Sequence, residues 1–358
     1  MFLLSKLHLK FALPIVAALG TLLALTGVGP AYALSGTYSG YVAFNANGSD
    51  YLYMYDASSG SSADIKLGMA PGTSPAMNYD ATANRYTVTF QNTQGYLCVY
   101  QYTTGNKCTG YGMDTSSSPA LTGIPNSAGM EIAFQGANNH YLWLYNSHSG
   151  GLTDTKLGMA PGTSPAIINY LSNPSNLTYD GWMVAFQNTQ GHLCVYVTSI
   201  GNRCTGLGMS PGTSPSLTDA FDGGVVAFNA NATNDLYLYN YAGSGTSMNT
   251  RDVMYPYTSP SAADVYSDGI KVAYQGANGN LTIYNSYDRI AADEGAGMAF
   301  GTSPSIMDDS ATGIPGNQWE IAFQANSGIL WMFDMGHLKF DDTHLGLDSG
   351  TSPSGYSY

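Results

Sequence analysis

The sequence predicts an all-β protein: a seven-bladed β-propeller of four-stranded antiparallel blades, its ring closed by a C-terminal strand that completes the N-terminal blade. Two landmarks carry that reading. A Thr/Ser-Ser-Pro step returns seven times, at Ser74-Pro75, Ser118-Pro119, Ser164-Pro165, Ser214-Pro215, Ser259-Pro260, Ser303-Pro304 and Ser352-Pro353. Between these steps stands an aromatic followed by Gln or Asn, at Phe44, Phe90, Phe134, Phe186, Phe228, Tyr274 and Phe323, at intervals of 42 to 52 residues. Short β-rich runs repeating at that period mark propeller blades.

One repeat shows the four strands in order. Pro165 to Ile168 is a short apolar run, and Trp182 to Gln187 is a second. Asn188-Thr189-Gln190-Gly191 turns the chain, His192 to Val197 returns, and Cys204 to Met209 is the fourth strand. Val, Ile, Tyr and Phe in runs of this length, bounded by Gly, Asn and Ser, read as strands. Middle strands such as Leu142-Trp143-Leu144-Tyr145 are apolar on both faces, as expected for sheets sandwiched between neighbouring sheets. The chain enters at Tyr41 to Phe44, a second strand with no Ser-Pro strand before it, and ends on a Ser-Pro strand with no blade after it. The last strand therefore completes the first blade and removes an exposed edge. Met69, Met113, Met159, Met209, Met254 and Met298, each following a fourth strand, read as core.

Residues 1–33 read as a secretory signal peptide and 34–358 as one propeller domain. Lys6 and Lys10 precede an apolar run over 11–28, and Ala31-Tyr32-Ala33 is a small-x-small cleavage site. A retained membrane anchor is the competing reading of that run; no further membrane span is expected after cleavage. Secretion agrees with the cysteines. Cys98 and Cys108, like Cys194 and Cys204, sit in Leu-Cys-Val-Tyr…Gly-Asn-(Lys/Arg)-Cys-Thr-Gly hairpins, which predicts two disulfides within blades and an extracellular location. No metal-ligand spacing occurs, so no metal or cofactor is expected. The formal charge of −13 disfavours nucleic acid, which is bound by Lys and Arg.

The strand order puts Gln91, Gln135, Gln187, Gln275 and Gln324 on the same face as the Gly-Thr-Ser-Pro loops. They either hold the turns of the ring together or meet a ligand's hydroxyls. At one fixed position of the third strand stand Tyr53, Cys98, Trp143, Cys194, Tyr237, Thr282 and Trp331. An aromatic there could offer a flat platform to a neutral sugar, with amides satisfying its hydroxyls; packing between blades is the alternative. The 28 tyrosines and the low charged fraction of 10% suit that chemistry.

The order of Ser-Pro strand, strand ending before a polar turn, Gly/Asn-x-Leu-Trp strand and Leu-Gly-Met ending resembles the repeats of secreted bacterial seven-bladed propeller lectins, over residues 37–358. The resemblance implies monosaccharide binding, fucose for example, between blades. Catalysis finds little support. Gly-x-Ser-x-Gly, His-Glu-x-x-His and phosphate-loop motifs are absent, and the pairs Asp308-Asp309 and Asp341-Asp342 read as solvated loop acids rather than glycosidase carboxylates. The expected function is a non-catalytic, lectin-like protein with neutral glycans or glycoconjugates as partners. A structural scaffold that engages cell-surface proteins is the alternative from another class.

Overall fold

In a computed structural model, residues 40–80, 82–173, 178–219, 223–242, 245–265, 269–308 and 319–357 are described. The signal peptide and Asp309 lie outside them. Every regular element among the described residues is a strand, and the strands form seven four-stranded antiparallel sheets. Blade 2 is typical: Ala76–Asp80, Arg85–Gln91, Tyr96–Gln101 and Gly105–Gly112, in order from the axis outward. Blades 3 to 7 begin at Ala120, Ala166, Ser216, Ser261 and Ser305. Blade 1 takes its inner strand, Ser354–Tyr356, from the C-terminus and pairs it with Tyr41–Ala46. The ring closes as the sequence predicts.

Strand alternation gives each blade two faces. In blade 3, Ile132, Phe134 and Tyr145 pack against Leu97 and Val99 of blade 2, whereas Ala133, Leu142 and Leu144 pack against Val184, Phe186 and Cys194 of blade 4. The signature aromatic thus always faces the preceding blade. Phe44, Phe90, Phe134, Phe186, Phe228, Tyr274 and Phe323 are all essentially buried, each contributing roughly 1.5–3 kcal/mol of transfer free energy. The methionines that follow the fourth strands are buried as well, and each bridges to the next blade, as Met69 does to Asn92 and Met113 to Gly136.

The Ser-Pro steps form the hub. The Ser74 backbone N–H donates to the Ser118 hydroxyl at 2.9 Å, Ser118 to Ser164, Ser164 to Ser214, Ser214 to Ser259, Ser259 to Ser303, Ser303 to Ser352, and Ser352 back to Ser74 at 2.8 Å. This unbroken circuit surrounds a central cavity of about 430 Å³. The preceding threonines are buried and cap their own turns, as when the Thr73 hydroxyl donates to the Ala70 carbonyl at 2.7 Å.

Candidate functional site

The five glutamines sit at the ends of second strands, on the face of the crossover loops. All are buried, at 0 to 2% exposure. The Gln91 amide donates to the carbonyls of Met113 and Asp114, both at 3.1 Å. Gln187 does the same to Met209 and Ser210, and Gln324 to Leu347 and Asp348. Gln275 donates to Gly279 and Met298. Gln135 donates to Ala160 and accepts from the Gly162 N–H. Their main-chain carbonyls are engaged too: that of Gln91 accepts from Ala70 of the preceding crossover. Each glutamine therefore ties the crossover arriving from one blade to the crossover leaving for the next.

The third-strand position faces the other way. Cross-strand register sets Trp143 opposite Phe134 but Gln135 opposite Leu142; in blade 7, Trp331 opposes Phe323 and Gln324 opposes Leu330. Because side chains alternate along a strand, the indole faces the preceding blade and the amide faces the following one. The structure does not bring Trp and Gln of one blade into one site. It does bring the whole third-strand set onto one face: Tyr53 opposes Phe44, Cys98 opposes Phe90, Cys194 opposes Phe186, Tyr237 opposes Phe228 and Thr282 opposes Tyr274.

Trp143 lines an open groove. It is half-buried beside Gly110, Tyr111, Asn138 and Asn139 in a cavity of about 320 Å³ between blades 2 and 3. The indole N–H points to the Asn139 side-chain oxygen at 3.4 Å. Gly136 is required beneath the ring, since a Cβ there would lie 2.5 Å from the indole nitrogen. Trp331 is half-buried as well, but packs on Phe323 and Phe340, with its indole nitrogen buried and without a hydrogen bond. Tyr53 and Tyr237 lie against Phe44 and Phe228, with ring centroids 5.7 and 5.6 Å apart.

Sequence reasoning missed the outer strand. Opposite the third-strand position stand Asp64, Cys108, Asp154, Cys204, Asn249, Asp293 and Asp342. Where this residue is Asp or Asn, its oxygen accepts the N–H two residues on, from Lys66, Lys156, Arg251, Gly295 or His344. Asp342 is thus a turn-forming residue in an outer strand. The residue two on has positive φ in all seven blades: Lys66, Gly110, Lys156, Gly206, Arg251, Gly295 and His344. The recurring Asp-x-Lys before Leu-Gly-Met was the available signal.

These two positions vary together across each interface. Trp143, Tyr237 and Trp331 follow a blade that carries glycine at the positive-φ position, namely Gly110, Gly206 and Gly295. Cys98, Cys194 and Thr282 follow a blade that carries a cation there: Lys66, Lys156 and Arg251. Tyr53 follows His344. A Cβ built on any of the three glycines would meet nothing within 4 Å.

Cys98 pairs with Cys108 and Cys194 with Cys204, as predicted, and no cysteine among the described residues is free. Among the described residues no group of three or more His, Cys, Asp or Glu is placed to hold a metal, and no helix is long and apolar enough to cross a membrane. The buried Glu131 faces blade 4; burial pushes its carboxyl up to about 7, against the hydrogen bond from Asn146.

No protein-family model matches the chain, and no curated protein sequence matches it. Solved structures share its architecture. A quinonprotein alcohol dehydrogenase-like protein from Bacteroides thetaiotaomicron aligns with a TM-score of 0.51 at 10% identity, over 88% of this chain and 77% of that one. The SapL1 lectin in complex with alpha methyl fucoside aligns at 0.48 and 18% identity, over 72% and 95%. AofleA from Arthrobotrys oligospora aligns at 0.46 and 12% identity, over 91% of each chain. At these identities the likeness is one of fold: this chain is a propeller similar to proteins that include lectins.

Proposed function

We propose that the protein is a secreted, non-catalytic carbohydrate-binding propeller, with residues 1–33 as its signal peptide and 34–358 as the binding domain. It takes neutral monosaccharide units into alternate grooves between blades. The observation that carries this reading is the groove between blades 2 and 3, where the accessible indole of Trp143 stands beside the bare backbone of Gly110 and the side chains of Asn138 and Asn139. Its volume is within the range of small-ligand sites. An aromatic face covers the C–H surface of a sugar, while amides satisfy its hydroxyls. By the same pairing of aromatic and glycine, the grooves at Tyr237 and Trp331 are the second and third sites. Gln91, Gln135, Gln187, Gln275 and Gln324 hold the walls of the grooves, and neutral glycans or glycoconjugates are the partners. Two disulfides and the absence of a membrane-spanning helix among the described residues are compatible with an extracellular protein.

Calorimetry against monosaccharides chosen from a glycan array tests the reading, with fucosides as first probes. Trp143→Ala should weaken binding by roughly 0.5–1.5 kcal/mol while melting stays near wild type. An array without a single binder, or affinity indifferent to Trp143→Ala, Tyr237→Ala and Trp331→Ala alike, would reject it.

A further inference from the structure

We propose that the interface of blades 1 and 2, on the face opposite the grooves just described, is a binding site for a planar organic cation, of which a guanidinium group is the best fit. The inference comes from comparing that interface with the one between blades 4 and 5. In blade 5 the third strand carries Tyr239 and continues to Tyr241; in blade 2 the equivalent residues are Tyr100 and Tyr102. Elsewhere the second of these positions holds Ala57, Ser147, Thr198, Ser286 or Met335, so only these two interfaces present the tyrosine pair.

Blade 4 supplies a cation to its pair. Arg203, which opposes Val195 on the face toward blade 5, places its guanidinium carbon 4.7 Å from the centre of the Tyr241 ring. It donates to the Tyr241 carbonyl at 3.4 Å and hydrogen-bonds the Tyr239 side chain. Under that cover both tyrosines are only 5% exposed. Blade 1 has Ala63 at the position of Arg203, opposite Met54. What the arginine fills in one interface is a cavity of about 340 Å³ in the other, lined by Tyr41, Tyr86, Tyr100, Tyr102, Asp56 and Ala63. Tyr100 is half-buried and Tyr102 is 80% exposed.

The charges at the cavity agree with that occupant. The Asp56 carboxylate lines it, and accepts hydrogen bonds from Ser58 and Ser59. The other charged residue in the lining, Arg85, lies 3.9 Å from the Asp80 carboxylate. Aromatic faces attract cations through the ring quadrupole, and a flat guanidinium stacks where an ammonium cannot. The net charge of −13 draws a cation in.

Titration with arginine methyl ester, followed by calorimetry and tyrosine fluorescence, tests the proposal, with lysine methyl ester as comparison. Saturable binding is expected, tighter for the arginine ester. Tyr102→Ala, at an exposed position, should weaken it roughly three- to tenfold. Ala63→Arg should abolish it and raise the melting temperature, because the chain then fills its own cavity as blade 4 does. Absence of saturation in the wild-type protein, equal affinity for the two esters, or undiminished binding by a folded Ala63→Arg variant would each overturn the proposal. Because the site lies on the face away from the grooves, sugar binding should be unchanged in both variants, and its presence or absence does not decide this result.

Discussion

Blades 2 and 4 join their third and outer strands covalently, whereas blades 3 and 7 carry at the same outer-strand position an Asp that bonds only its own turn. At the same third-strand position the former bury Cys98 and Cys194 completely, each joined across the hairpin to the outer strand. The latter hold Trp143 and Trp331 opposite Asp154 and Asp342, whose oxygens each fix a turn through a single N–H at 2.8 Å. The difference extends further along the second strand. Three residues before the signature aromatic, the disulfide blades bury Thr87 and Met183, whereas the tryptophan blades bury Glu131 and Glu320. One scaffold thus tolerates two regimes. Stapled blades bury one cysteine of each pair in the interface and leave the other, Cys108 or Cys204, exposed; open blades keep polar and aromatic groups that need partners.

The test that bears on both kinds of blade is removal of the closing strand. Deleting residues 350–358 removes the inner strand of blade 1 and Ser352 of the hub, so the cooperative thermal transition should be lost altogether. A truncated protein that melts as the full chain does would contradict the closure.

Next in size is a pH effect confined to an open blade. The Glu131 carboxyl has its value in the fold raised to about 7 from 4.5, so the folded state holds the proton more tightly than the unfolded chain. Its contribution is complete below about pH 4.5 and is lost as pH rises toward 7, on the order of 3 kcal/mol in all. Glu131→Gln should flatten the stability profile across that window in denaturant titrations. An unchanged slope would remove Glu131 as its source.

Replacing Cys98 and Cys108 together by Ser should cost about 2–3 kcal/mol, read as a lower denaturation midpoint, whereas Asp154→Ala in blade 3 should cost only about 1 kcal/mol for its single hydrogen bond. Equal losses would mean that the turn at Asp154 matters to stability as much as the covalent link between strands in blade 2. Loss of glycan affinity in the serine variant would argue that the stapled interface also shapes a groove.

Much of this architecture was legible in the chain because its punctuation is local. Ser-Pro at each inner strand, Phe-Gln at the end of each second strand and paired cysteines in equivalent hairpins each have a mechanism that acts within a few residues. The closure followed from counting strands at the two ends. Alternation separates Trp143 from Gln135: Trp143 stands opposite Phe134, and Gln135, the next residue after Phe134, points to the other face of the sheet. The Asp-x-Lys turns were in view as well, but an acid and a cation near a strand end look like ordinary surface. The vacant space at Ala63 could not be read locally at all, since it exists only by contrast with Arg203, from which it is separated by three blades.

The hub of serines has a further consequence, which concerns closure. Each serine passes its N–H to the next blade's hydroxyl, and the series balances only because the seventh returns to the first, at distances of 2.8 to 3.0 Å throughout. A ring left open at one interface, or with a blade inserted that lacks the serine, has a donor at the break with no hydroxyl to receive it, at a cost of roughly 1–3 kcal/mol if that site stays buried. The circuit therefore registers closure rather than blade number, and it has no privileged starting point: within it, Ser352 at the C-terminal end is bonded as every other serine is.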